Sequence, residues 1–150
     1  AGAPHHLHDG QPFPNTYTYQ HARHGELAML YEPRITRDPH ARAGLECVSA
    51  TTTNLTPDIV IAAPNGIVIL DAKFRPSPPR ELIPETVLKY LHGLHPTTRP
   101  VLGLHLLHYG QNAEPVDYHH RPVTPAISTL PVHPDNKTHL GITLDRHLNP

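Results

Sequence analysis

The chain has 150 residues, 12 Lys and Arg against 13 Asp and Glu, and a pI near 7.0. This length suits one domain with a single core. The near-neutral charge excludes a strongly basic nucleic-acid-binding domain, so a polyanionic partner must meet a local patch. The single cysteine, Cys47, excludes an internal disulfide. Because no apolar run approaches about 18 residues and the N-terminus lacks the apolar core of a signal peptide, the sequence predicts a cytoplasmic protein.

The first third of the chain gives weak signals. Residues 1–16 are rich in Pro, His and Gly without periodicity, and they predict a flexible arm before a single domain over residues 17–150. Residues 17–26 are polar with aromatics and favour a short helix. The apolar run "ELAMLYEPRI" that follows, which stops at Pro33, is compatible with a strand or a helix. "LECVSA" predicts a short strand.

The stretch "TPDIVIAAPNGIVILDAKFR" predicts a β-hairpin, because two apolar runs flank the turn signal "APNG". Both runs end in charge, with Asp58 at one end and Asp71 and Lys73 at the other. A loop with an even number of residues places the three charges on one face, with Val60 opposite Asp71 and Asp58 opposite Lys73. A three-residue loop instead sends Asp58 to the other face, and the turn residues alone do not choose.

The cost of burying charge favours the even loop. Two carboxylates at the ends of buried strands are unfavourable unless a cation or hydrogen bonds compensate them. Diagonal neighbours on a strand pair have Cβ atoms roughly 7 Å apart, within reach of one divalent ion. A hard ion such as Mg²⁺ takes carboxylate, carbonyl and water oxygens, and it can activate water beside a phosphodiester. The hairpin therefore predicts a metal site.

"PD" before the hairpin and "DAK" after it resemble the motif of the PD-(D/E)XK nuclease superfamily, which has the restriction-endonuclease-like fold. The longer sequence "PDIVI…ILDAKFR" is most similar to the McrC-type nuclease subunits of modification-dependent restriction systems. The resemblance implies that Asp58 and Asp71 hold Mg²⁺ or Mn²⁺, that the carbonyl of Ala72 adds a ligand, and that Lys73 orients or activates the attacking water. It further implies an endonuclease that cleaves nucleic acid, DNA rather than RNA, in bacterial defence or as a toxin.

Members of this superfamily usually add an acidic residue from an upstream helix. The candidates are Glu26, Glu32 and Glu46, and Glu26 is expected because it follows the proposed first helix. As an alternative, each is an ordinary surface carboxylate.

Downstream, "LIPETVLKYLHGLH" has the apolar spacing of a helix, with Pro84 suited to its first turn. "PVLGLHLLHYG" predicts a strand covered on both sides. "AISTLPVHP" suits an edge strand because of Pro131, and "HLGITLDRHL" suits a last helix or strand. The predicted order is αβββαβ, a central mixed sheet flanked by helices in an α/β fold.

Three residues are candidates for contact with substrate. Lys89 and Tyr90 lie on the helix after "DAK", where related nucleases present polar residues, although a solvated lysine beside a core-edge tyrosine fits equally well. Arg75 follows the motif and could neutralise a phosphate. The near-neutral pI predicts weak binding alone, or a partner subunit or homodimer.

Two other functions compete with the nuclease. One is a catalytically inactive interaction or nucleic-acid-binding module with the nuclease fold. The other is a metal-binding protein based on the 15 histidines, although they are scattered and have no cysteine pairs beside them.

Overall fold

The computed structural model describes residues 16–40 and 44–149. The strands are β1 (Thr16–His21), β2 (Gly25–Tyr31), β3 (Ile35–Thr36), β4 (Leu45–Cys47), β5 (Asn54–Leu55), β6 (Ile59–Ala63), β7 (Gly66–Ala72), β8 (Leu94–Pro96), β9 (Val101–His108), β10 (Val116–Asp117) and β11 (Ala126–Pro131). Seven of them form a central mixed sheet with the strand order β1-β2-β6-β7-β9-β11-β10. Within this sheet only β7 with β9 and β9 with β11 pair in parallel; the other neighbours are antiparallel.

Two helices, α1 (Ile83–Val87) and α2 (Thr138–Leu148), cover opposite faces of this sheet. The larger core joins alternate residues of the central strands to Ile83 and Tyr90. The smaller core joins the intervening residues, such as Val68, to Leu140 and Leu144 of α2. The predicted mixed α/β class is therefore confirmed. No helix in the described ranges is long and apolar enough to cross a membrane.

The helix predicted over residues 17–26 is wrong. Residues 16–21 form β1, which turns back into β2, so that Tyr17 pairs with Met29 and Tyr19 with Leu27. Alternating Thr and Tyr, both strongly strand-forming residues, explain this outcome. The undecided run that follows is a strand as well. Residues 1–15, most of the predicted arm, lie outside the described residues, and Thr16 already belongs to β1.

The predicted hairpin is confirmed as β6 and β7. Ala63 pairs with Gly66, which leaves a two-residue loop of Pro64 and Asn65, so the even loop is confirmed. The individual pairs expected for it are wrong, because Val60 lies opposite Ile69 and not Asp71. This shift of two residues preserves the face of every side chain.

The later elements follow the predicted order with two differences. The helix begins with α1, has Pro84 in its first turn, and continues as a π-helical turn over Leu88–His92. As predicted, β9 is covered on both faces, because Leu104 and Leu106 belong to the larger core and Leu102 and Leu107 pack against the smaller one. It lies between β7 and β11. However, β11 is not an edge strand, because β10 pairs with its outer side. Pro131 is tolerated there because β10 pairs only with Ser128 and Thr129, so among the described residues the outer side of β11 at Pro131 has no strand partner.

Candidate active site

Asp58 and Asp71 meet where the β6–β7 hairpin opens. Asp58 directly precedes β6, and continuing the ladder by one step from the pair Ile59–Leu70 places it opposite Asp71. The main-chain N–H of Ala72 donates a hydrogen bond of 2.6 Å to Asp58 Oδ2. Asp71 is only 4% exposed, whereas Asp58 is partly buried. The structure thus brings together the two carboxylates that the motif predicts.

The environment of Asp58 is unfavourable for its negative charge. Desolvation by partial burial is the largest effect and raises the pKa of the Asp58 carboxyl group, and the N–H of Ala72 opposes it. The charge of Asp71 and a hydrogen-bonding contact between the two carboxyl groups raise that pKa further. A proton or a cation shared by the two groups relieves this repulsion.

Lys73 lies beside the same carboxylates. Its Nζ is 2.6 Å from Asp71 Oδ2, a short ion pair. Even so, Oδ2 is fully buried and accepts no well-directed hydrogen bond from the part of the chain that is described. Lys73 and Asp71 therefore form an ion pair in which the N–H groups of Lys73 are poorly directed for a hydrogen bond to Oδ2. The main-chain N–H of Lys73 donates to Leu107 O at 2.7 Å, which fixes the residue against β9.

Tyr90 closes the site from the helix side. Its hydroxyl donates to the carbonyl of Thr56 at 3.3 Å, and its ring is buried. Burial, followed by the negative charges of Asp71 and Asp58, raises the pKa of the phenol. The buried Tyr90 ring therefore lines the inner side of the site beside Asp71, and its contact with a substrate stays a prediction. Lys89 is exposed, with Nζ 4.9 Å from the centre of the Tyr90 ring.

Arg75, the other residue expected to contact substrate, is already partnered. Its guanidinium forms an ion pair with Glu81 and is partly buried. A phosphate would have to exchange with Glu81 to use this charge.

The structure does not bring Glu26 to the site. Glu26 accepts a hydrogen bond of 3.1 Å from Gln20 within the β1–β2 hairpin. Because β2 is antiparallel to β6 and Ala28 pairs with Ala62, Glu26 lies at the turn end of β6, opposite to the Asp58 end. The expectation fails because a strand hairpin replaces the upstream helix on which it depended.

Glu32 is the upstream acid at this edge. Its N–H donates to the carbonyl of Asp58 at 2.8 Å. Its φ of 47° is left-handed, which costs a non-glycine residue about 1–3 kcal/mol, and such strained residues cluster at functional sites. Glu46, the third candidate, pairs with His95 in a separate two-stranded sheet. The main-chain contact therefore places Glu32 nearer to Asp58 than Glu26 or Glu46.

No protein-family model matches the chain, and a search of curated proteins finds no match.

The oxygen atoms of Asp58, Asp71 and Ala72 decide whether the site suits a divalent cation. Within residues 16–40 and 44–149, no three side chains of His, Cys, Asp or Glu are grouped closely enough to hold a metal. The pair of carboxylates nevertheless fits a hard cation, because their repulsion and the poorly hydrogen-bonded Asp71 Oδ2 are what such an ion compensates. The N–H of Ala72 points toward Asp58, and the C=O of a strand residue points the same way as its N–H. Ala72 thus directs a third oxygen to the same side.

His108 is a residue near the site that the sequence did not assign to it. Leu106 pairs with Asp71, so His108, two residues later on β9, falls on the same face at the level of Lys73. Its Nδ1 accepts from the N–H of Gly110 at 3.3 Å, while its Nε2 is buried without a partner among the described residues. Burial lowers the pKa of His108. His108 lies there because β7 and β9 pair in parallel in this register, which the sequence does not specify.

Proposed function

We propose that this protein is a Mg²⁺- or Mn²⁺-dependent nuclease that hydrolyses phosphodiester bonds of nucleic acid, with DNA favoured over RNA. The observation that carries the proposal is the meeting of Asp58, Asp71 and Lys73 where one hairpin opens, in the order of the PD-(D/E)XK motif. A restriction-endonuclease-like arrangement of the mixed sheet is part of the same proposal. So are a cytoplasmic role in bacterial defence or as a toxin, and a partner subunit or homodimer.

The residues have distinct roles in this proposal. Asp58, Asp71 and the carbonyl of Ala72 hold the cation, which supplies Lewis acidity and lowers the pKa of water. Lys73 has three N–H donors and no acceptor in its charged form, so it orients the attacking water and stabilises negative charge on the phosphate. Tyr90 holds the helix against Thr56, and its buried hydroxyl lies beside Asp71.

A module that binds without cleaving is the alternative. It is favoured by the position of Glu26 away from the site and by the existing partners of Lys73 and Arg75, which are Asp71 and Glu81. In this reading the two carboxylates are retained without chemistry.

A cleavage assay separates these functions. Supercoiled plasmid and circular single-stranded DNA are incubated with the protein and Mg²⁺ or Mn²⁺, using the native chain, Asp71→Asn, Lys73→Met and the matched control Glu26→Gln. We expect the native chain and the control to cleave at similar rates and the two site variants to lose roughly 100-fold or more. Equal activity in all four would overturn the catalytic assignment. No cleavage by a native chain that still binds Mn²⁺ would support the inactive module.

A further inference from the structure

Three exposed aromatic residues lie at the end of the sheet that carries Asp58 and Asp71. Phe74, directly after Lys73, is 96% exposed. Tyr109, which follows β9, is 49% exposed, and Tyr31, the last residue of β2, is 52% exposed. The whole chain has only 2 Phe, 6 Tyr and no Trp. Single exposed apolar residues are ordinary on protein surfaces. Three exposed aromatic rings at one end of the sheet are unusual in a chain with so few aromatic residues, and such clusters mark interaction sites.

The backbone ties these rings to the candidate site. Tyr31 pairs with Ile59, the residue after Asp58, so its side chain leaves β2 at the same end of the sheet but on the face opposite to the two carboxylates. The N–H of Tyr109 donates to the carbonyl of Arg75 at 3.0 Å, next to Phe74 in the chain. Neighbouring strands are spaced about 4.8 Å apart, so attachment points on β2, β7 and β9 span roughly 15 Å of this edge. That span can contact several nucleotides at once.

The charges at this edge favour an unpaired strand over a duplex. Duplex binding depends mainly on Lys and Arg that neutralise phosphates. Here Lys73 is paired with Asp71 and Arg75 with Glu81, and the net charge of the chain is −1. A duplex also hides the faces of its bases, whereas each unpaired base stacked on an aromatic ring contributes about 1–3 kcal/mol.

We infer that Tyr31, Phe74 and Tyr109 form a stacking surface for the unpaired bases of a single-stranded nucleic acid. The substrate of the site is then a single strand or a flap and not an intact duplex. This last statement rests on the proposed nuclease function, whereas the binding of single strands can be measured without any cleavage.

A tryptophan at position 74 reports stacking directly. Because the chain contains no Trp, Phe74→Trp gives one indole in a fully exposed position, and Tyr118→Trp gives a matched control at another exposed site, 58% exposed beside β10. Both are titrated with short single-stranded DNA, single-stranded RNA and duplex DNA in EDTA, which prevents metal-dependent cleavage. We expect single strands to quench the fluorescence of Phe74→Trp, and the duplex to quench it at least tenfold less effectively. Tyr118→Trp should not respond.

Binding strength is measured separately by fluorescence anisotropy of labelled oligonucleotides. Phe74→Ala, whose side chain contributes almost nothing to the packed core, should weaken single-strand binding by roughly 5- to 150-fold, and Tyr118→Ala should not change it. Because stacking carries the affinity, the logarithm of the binding constant should fall with the logarithm of salt concentration with a slope of magnitude about 2 or less.

The outcomes distinguish the two proposals. Single-strand binding that depends on Phe74 and persists in Asp71→Asn supports the stacking surface even if the native chain proves not to cleave. Equal or tighter binding of the duplex, or unchanged single-strand binding in Phe74→Ala, would overturn the stacking surface even if the chain is a nuclease.

Discussion

Asp58 faces Asp71 across the open end of the β6–β7 hairpin, and the amide after Asp71 donates to the Asp58 carboxylate. In a small domain this places two like charges together at the end of its most buried strands. Such an arrangement lowers stability, and it is typical of sites where binding or chemistry requires it.

Asp58→Asn should separate stability from function. A raised pKa means that folding favours the protonated carboxyl group, so ionisation at neutral pH costs stability in the metal-free protein. Asn keeps an oxygen for the Ala72 N–H and removes the charge. Because Asp58 is partly exposed, we expect a gain of at most roughly 0.5 kcal/mol in the free energy of unfolding at pH 7.5, with cleavage reduced roughly 100-fold. Urea unfolding in EDTA measures the free energy of unfolding. A clear loss of stability in Asp58→Asn would mean that Asp58 has a structural role.

Glu32 and Glu26 form a matched pair for the upstream acid. The main-chain hydrogen bond from Glu32 to Asp58 places Glu32 beside the site. If its carboxylate acts there, Glu32→Gln lowers the cleavage rate at least tenfold, whereas Glu26→Gln changes it less than twofold. Glu32→Gly should also raise the free energy of unfolding by about 1 kcal/mol, because glycine adopts its left-handed backbone without strain. The opposite ranking of the two Gln variants would restore Glu26 as the acid.

The hairpin and its facing charges could be predicted because the signals are local. Apolar runs on both sides of "PNG" define two strands, and an even loop determines which side chains share a face. The expected pairs were two residues out of register, yet Asp58 and Asp71 lie on one face of the sheet as predicted, since a shift of two preserves the face. The turn residues, however, suit both a two-residue and a four-residue loop, so the sequence does not distinguish them.

Long-range pairing could not be predicted. The segment before Glu26 has polar and aromatic residues that suit a helix or a strand, and its pairing with β2 decides between them. The place of His108 beside the site depends on the parallel register of β7 and β9, which are separated in the chain by α1. Local sequence patterns do not determine the register between strands that are distant in the chain.

Acid should destabilise the protein through His105, which lies on the face covered by α2. Its Nε2 is 2.8 Å from Nε2 of His147, and its Nδ1 is 2.7 Å from Oγ of Ser128. Burial, together with the charges of His147 and Arg146, lowers the pKa of His105 to about 3. Unfolded histidine titrates near about 6.5, so the unfolded chain takes up a proton that the folded chain refuses. The free energy of unfolding should therefore fall by up to about 1.4 kcal/mol per pH unit for this residue as pH decreases from about 6.5 to 3.

Urea unfolding at a series of pH values from 7.5 to about 4 measures this dependence. His105→Gln should give a shallower decline, whatever its stability at pH 7.5, and His120→Gln, at an exposed position, should retain the native slope. An unchanged slope in His105→Gln would show that other groups cause the acid sensitivity.

Titration calorimetry with Mn²⁺ tests most directly whether Asp58 and Asp71 hold one cation. We predict one ion per native chain at pH 7.5, with affinity that weakens as pH is lowered toward the raised pKa of Asp58, where protons compete for the carboxylate. Asp58→Asn and Asp71→Asn should each weaken binding at least tenfold, while Glu26→Gln binds as the native chain does. Unchanged Mn²⁺ binding in both Asp variants would contradict the shared cation.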